Sequence, residues 1–248
     1  MTDPSVEVPL TTKTSDLPKR AASAMVMLAV AGTALWLGGW WWTAFVLLAA
    51  AGVWFEWSVL AMLGNPPGAA RSLWRLGGVV YCGLAAAALI FLREMSAPSV
   101  LAIIGAVIAT DTFAYFTGRT FGGPKIAPIV SPSKTWSGLF GGIVGTSAVM
   151  LTFTKYQCQA QFGTFDEGTG CVWSDIYWEG ALVGGALIAI VAQAGDFFES
   201  WMKRRARVKD SGKLIPGHGG LFDRVDGLLS VSFVMGLFFL VSGAFEWL

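Results

Sequence analysis

Seven long apolar runs constrain this chain more than any other feature. They cover residues 21–38, 41–63, 74–92, 98–118, 138–154, 178–201 and 225–247. A helix rising 1.5 Å per residue needs about 20 apolar residues to cross a hydrocarbon layer of about 30 Å, and the runs have that length. A soluble domain carries roughly a quarter charged residues, whereas this chain carries 13%. The expectation is an all-α, polytopic transmembrane bundle of about seven spans, with its site in a short cytoplasmic loop region. Residues 1–20, polar and holding Pro4, Pro9 and Pro18, read as a disordered cytoplasmic tail. The apolar run that follows is too long and continuous for a cleaved signal peptide. Residues 21–92 read as N-terminal membrane spans and 93–248 as a catalytic membrane domain.

The distribution of basic residues sets the orientation. With the N-terminus in the cytoplasm, fifteen of the seventeen Lys and Arg residues fall inside, leaving only Arg93 and Lys155 outside. The C-terminus then lies outside, as does the polar loop near 155–177. Cys158 and Cys171 flank that loop and could pair in an oxidising compartment; free thiols are equally open. Cys82 lies in an apolar run and reads as a packing residue. A net charge of +1 and the lack of a soluble basic face argue against nucleic acid as a partner.

Ionisable groups inside spans are costly and mark function by default. Glu56, Asp111, Asp196 and Glu199 qualify. Asp111 and Asp196 each lie about 10 Å below the inner surface at 1.5 Å per residue. Asp223 and Asp226 stand at the inner entrance of the last span. Asp196, Glu199 and Ser200 share one helix face, as do Asp223 and Asp226. Such an oxygen-rich set, without a thiol or imidazole cluster, suits Mg²⁺ or a similar cation, with a second cation left open. For Glu56, flanked by Trp54 and Trp57, plain packing competes with a functional role.

Residues 195–227 read GDFFESWMKRRARVKDSGKLIPGHGGLFDRVDG. Here Lys203, Arg204, Lys209 and Arg224 interleave with Asp196, Asp223 and Asp226. Topology alone calls for bases in such a loop and has no use for the acids. Mixed signs suit phosphate: carboxylates hold the metal while Lys and Arg bind the remaining oxygens. His218-Gly219-Gly220 can bring backbone N–H groups close to an anion. Other motifs carry less. The glycines at 138, 141, 142 and 145 read as helix-packing surface. Ser211-Gly212-Lys213 lacks the remainder of a phosphate-binding P-loop, and the single histidine excludes a His-based zinc cluster.

This stretch resembles the signature of the phosphatidate cytidylyltransferases, also called CDP-diglyceride synthetases. The matching positions are Ser200, Lys203, Arg204, Lys209, Asp210, Gly212, Ile215, Pro216, His218, Gly219, Gly220, Asp223, Arg224 and Asp226. A second stretch, DTFAYFTGRTFGGPKIAPIVSPSKTWSG over 111–138, is similar to the same family's other segment through Asp111, Thr112, Ala114, Tyr115, Gly118, Ser131, Pro132, Lys134 and Thr135. The family usually carries Lys at Ser133 and Glu at Ser137. The resemblance covers roughly the last 140 residues.

The resemblance implies transfer of CMP from CTP to phosphatidate, giving CDP-diacylglycerol and pyrophosphate, in a multi-pass protein of the bacterial inner membrane, as a homodimer. From the residues themselves, Asp196 and Asp223 are expected to hold the metal, with Asp111 and Asp226 as further metal residues. Asp196, Asp223, Asp226, Lys203 and Lys209 are the expected catalytic set. Ser131, Ser133, Lys134, Thr135, Ser200, Arg204, His218, Gly219, Gly220 and Arg224 are expected to bind substrate. A CTP-dependent polyprenol kinase is the alternative enzyme. An ion-coupled transporter would set its acids near the bilayer midplane, and here they lie near the inner edge.

Overall fold

The computed structural model describes residues 17–65, 67–163, 171–215 and 219–244. Among these residues seven α-helices follow in order: α1 Leu17–Leu37, α2 Gly39–Gly64, α3 Ala69–Met95, α4 Ala97–Phe121, α5 Trp136–Phe162, α6 Trp178–Ala206 and α7 Phe222–Val241. From α2 to α7, six are long and apolar enough to cross a membrane, and Ala21–Leu37 of α1 forms a shorter apolar helix. The all-α polytopic expectation is met. Of the stretch read as a tail, residues 1–16 lie outside the described residues, and α1 starts within it at Leu17.

Several helices outrun the apolar runs that announced them. α3 starts at Ala69 and carries Arg71 and Arg75 in its first turns, and α5 continues through Lys155 to Phe162. Backbone hydrogen bonding does not stop where the hydrocarbon does, so polar ends extend an apolar core. Between α4 and α5 the chain adds a feature that the apolar runs do not announce. Strands β1 Lys125–Ala127 and β2 Ser131–Thr135 pair antiparallel, with Lys125 opposite Thr135 and Ala127 opposite Ser131.

Small residues let the helices approach, as they must where lipid offers no hydrophobic drive to association. Gly138, Gly141, Gly142 and Gly145 are buried on α5 and face Ala114, Thr117, Thr110 and Phe113 of α4, where a Cβ would be crowded. The buried Thr110 and Thr146 hydroxyls meet at 2.6 Å in this seam. Gly185 of α6 lies against the Ser147 backbone of α5, and Gly195 against Ser230 and the Asp226 carbonyl of α7. On the other side, Trp57 of α2 packs at 5.3–6.2 Å between ring centroids against Trp74 and Tyr81 of α3, Phe198 of α6 and Phe222 of α7. Its indole N–H donates to the Trp74 carbonyl at 2.8 Å. Large apolar side chains such as Leu28, Leu48, Phe140, Val183 and Leu240 stand exposed, as a lipid-facing surface requires. Across the bundle from the site, Cys158 and Cys171 form a disulfide beside buried Ile176.

Candidate functional site

The end of α6 projects Asp196, Glu199, Ser200 and Lys203 along one face, at spacings of three, four and seven residues. The first turns of α7 supply Asp223 and Asp226. Because Gly195 presents no side chain, α7 closes on α6 at this level. Asp196, Glu199 and Asp226 each contribute a carboxylate oxygen, and the three oxygens lie within 4.8 Å of one another.

Glu199 is 1% exposed, and its Oε1 has no hydrogen-bond partner among the described residues. An orphaned buried carboxylate oxygen is costly unless a cation or donor meets it. Among the described residues the cluster consists of three carboxylates without sulfur or imidazole, a hard donor set that can bind a metal ion.

Lys203 joins the cluster to Asp223. Its ammonium lies 2.6 Å from Glu199 Oε2 and 2.8 Å from Asp223 Oδ1. The other Asp223 oxygen accepts from the N–H groups of Ser211 and Gly220, both at 2.9 Å. Asp223 is therefore adjacent to the three-carboxylate cluster and engaged by a lysine and the loop. Lys203, expected to face phosphate, is held among carboxylates. Ser200, expected to bind substrate, donates to Asp196 Oδ1 at 3.4 Å and orients it.

Asp196 is also the wall of a cleft of about 600 Å³. α4 contributes Asp111, Tyr115, Gly118 and Arg119 to this cleft. Lys125, Ser133, Lys134 and Thr135 come from the hairpin, and α6 adds Gln193. Lys134 pairs with Asp196 Oδ2 and sits over the Phe197 ring at 5.1 Å. Arg119 donates to the Tyr115 hydroxyl at 2.6 Å. The hairpin is what carries Lys134 across to α6. Its geometry is fixed at Thr135, whose hydroxyl accepts from Gly138 N–H at 3.1 Å and caps α5. Thr135 thus has a structural duty besides lining the cleft.

The structure thereby joins the two sequence segments, 111–138 and 195–227, in one place. Asp111, Ser133, Lys134, Thr135 and Asp196 meet in the cleft; Asp226 and Asp223 stand behind Asp196. Ser131 lies at the other end of its strand, half-buried and paired with Ala127. Arg204, Lys209 and Arg224 are exposed and are not among the described residues lining the cleft. Gly219, at φ 84°, and Gly220 lead into α7, while His218 lies outside the described residues. Three groups at the site have no role assigned by sequence alone. Glu199 is visible there as an in-span acid three residues from Asp196. Lys125 and Arg119 are visible only as bases between the two halves of a motif.

A sequence model of the cytidylyltransferase family matches residues 71–242. The chain is 40% identical over 168 residues to a phosphatidate cytidylyltransferase of Brucella abortus, covering 66% of this chain and 56% of that protein. It is 39% identical over 140 residues to one of Thermotoga maritima, covering 56% and 48%. A third, from Rickettsia conorii, is 36% identical over 132 residues, covering 52% of each. The chain thus spans about half the length of the curated relatives it matches. The matched segment runs from α3 to α7 and takes in both walls of the cleft and the carboxylates behind it, so this chain belongs to the cytidylyltransferase family.

Proposed function

We propose that this protein transfers the CMP moiety of CTP to phosphatidate, releasing pyrophosphate and leaving CDP-diacylglycerol in the bilayer. One observation carries the reading: Lys134 from one motif and Asp196 from the other form an ion pair in a single cleft, backed by the Asp196–Glu199–Asp226 carboxylates. The relatives' name, phosphatidate cytidylyltransferase, supports phosphatidate as acceptor and a cytidine nucleotide as donor.

An oxygen of the lipid phosphomonoester attacks the α-phosphorus of CTP. The new P–O bond forms as the bond to the β-phosphate breaks, and the electron pair leaves with pyrophosphate. With a second pKa of about 6, the attacking phosphate is already largely deprotonated at neutral pH, so no general base is required. The barrier is repulsion between anions and charge on the leaving group, which preorganised cations reduce.

Arg119, Lys125 and Lys134 would bind triphosphate oxygens at the cleft, and the Ser133 hydroxyl would add a donor. Ser131 from the hairpin, and His218, Gly219, Gly220, Arg204, Lys209 and Arg224 from around the loop between α6 and α7, would meet the nucleotide as it enters. Asp196, Glu199 and Asp226 would hold Mg²⁺, with Asp223 and Asp111 beside them and room for a second cation. When bound, the ion neutralises phosphate charge and supports pyrophosphate departure. Lys203 would keep Glu199 and Asp223 in place.

The site would face the cytoplasm of a bacterium across its inner membrane. The basic residues favour that orientation, and the Cys158–Cys171 disulfide fits an oxidising opposite side. Residues 93–248 would form the catalytic part, and the expected assembly is a homodimer.

Position-specific labelling separates this reaction from phosphoryl transfer to a polyprenol. Purified protein with CTP labelled at the α-phosphate should label the phosphatidate-derived lipid, and label at the γ-phosphate should appear in pyrophosphate. Lipid labelled from the γ-position would overturn the assignment.

A further inference from the structure

Glu56 stands on α2, outside the segment that matches the family, yet its carboxylate is built into the loop that leads to α7. It is 1% exposed. Its Oε1 accepts from the Leu221 N–H at 3.0 Å, and Oε2 accepts from the Phe222 N–H at 2.8 Å. Leu221, at the cap position of α7, has no polar side chain to cap the helix. Glu56 therefore supplies from another helix the acceptors that a helix start needs.

Oε2 also meets the Ser211 hydroxyl at 2.8 Å. That hydroxyl lies 3.1 Å from Asp223 Oδ2, the oxygen already held by the Ser211 and Gly220 N–H groups. A hydroxyl has one proton to give, so it serves one carboxylate at a time and couples Glu56 to Asp223. Gly212 and Gly220 form the slot around these groups, and a Cβ at either would collide with the Glu56 carboxylate. Among the described residues, every donor that satisfies this buried acid thus belongs to the site loop or the start of α7. An acid retained only for packing has no reason to choose those partners.

We propose that Glu56 is a positioning residue for Asp223. It fixes Ser211 and the start of α7, so that Asp223 keeps one oxygen on the loop and turns the other to Lys203 and the α6 carboxylates. The inference rests on the nucleotidyl-transfer reading of the site.

The test uses the full chain purified in lipid–detergent micelles, with α-labelled CTP and phosphatidate, after gel filtration and thermal melting have shown each variant folded. Glu56→Gln keeps the volume and sets an NH₂ against a backbone N–H. Its kcat should fall about 10- to 100-fold with KM for CTP within about twofold, since misplacement of a reacting group by about 1 Å can cost about 10²-fold. Ser211→Ala should act in the same direction to a smaller extent. Glu56→Gln should add little to Asp223→Asn, because a residue that acts through another is not additive with it.

Normal kcat in folded Glu56→Gln, a change in KM alone, or full additivity with Asp223→Asn would overturn the inference while leaving the reaction intact. Should Glu56→Gln fail to fold, Ser211→Ala takes its place: a lowered kcat that adds little to Asp223→Asn supports the inference, and a normal kcat or full additivity overturns it. A wild-type protein that transfers no label sinks the underlying reaction, and this inference with it.

Discussion

Asp196 meets Lys134 and Ser200 and shares the carboxylate cluster with Glu199 and Asp226. Asp196→Asn keeps the shape and removes the charge that both the lysine and a cation need. Loss of one electrostatic element of this kind costs about 10²–10³ in kcat, and a loss in that range is expected in the labelled-CTP assay. Lys134→Met should act on nucleotide binding, raising KM for CTP about tenfold or more, as loss of a charge-assisted hydrogen bond of about 1.5–3 kcal/mol requires. An unchanged KM would remove Lys134 from the triphosphate. Lys134 is legible in the sequence because it sits at a fixed spacing in a polar motif, and Asp196 because it is an acid inside an apolar span. Glu199 is legible as an in-span acid on the Asp196 face, but not as a member of a buried three-carboxylate cluster. Glu56 is not legible as a partner of the loop, because its donors lie 155, 165 and 166 residues away in sequence and no local pattern encodes such a contact.

Elements bring these residues together through close packing, and the glycines of α5 and α6 mark where. Gly185→Val would press a side chain into the Ser147 backbone of α5. Overpacking of this kind costs about 1–3 kcal/mol, and the expected result is a lower melting temperature in micelles, whereas Gly184→Ala, with open space at its Cβ, should melt as the wild type does. The helices themselves are plain from the apolar runs, and so is the glycine seam of α5 as packing surface. Their ends are less plain, because polar turns such as those carrying Arg71 and Lys155 remain helical beyond the hydrocarbon. The β1–β2 hairpin escapes a sequence reading because its strands are three and five residues long, too short for an alternating pattern, and its role is to carry Lys134 to α6.

Across the whole molecule, charge asymmetry and the disulfide point the same way. In a Cys82→Ala background with the disulfide retained, a cysteine placed at exposed Lys213 should react with a membrane-impermeant maleimide only in inverted vesicles. Reaction in right-side-out cells would reverse the topology and move the site away from cytoplasmic CTP. The fold class is legible at this scale because the bilayer demands helices of a fixed length; the site is legible as two separate segments, and only the packing of α4, α5, α6 and α7 shows that they share one cleft. Carboxylates from α6 and α7 together would hold the cation. Mn²⁺ titration followed by electron paramagnetic resonance, on wild type and on Asp226→Asn, tests this directly. A saturable site in the wild type should weaken by at least about tenfold in the variant, as loss of about 1.4 kcal/mol of binding entails. Equal Mn²⁺ affinity in the two proteins would contradict it.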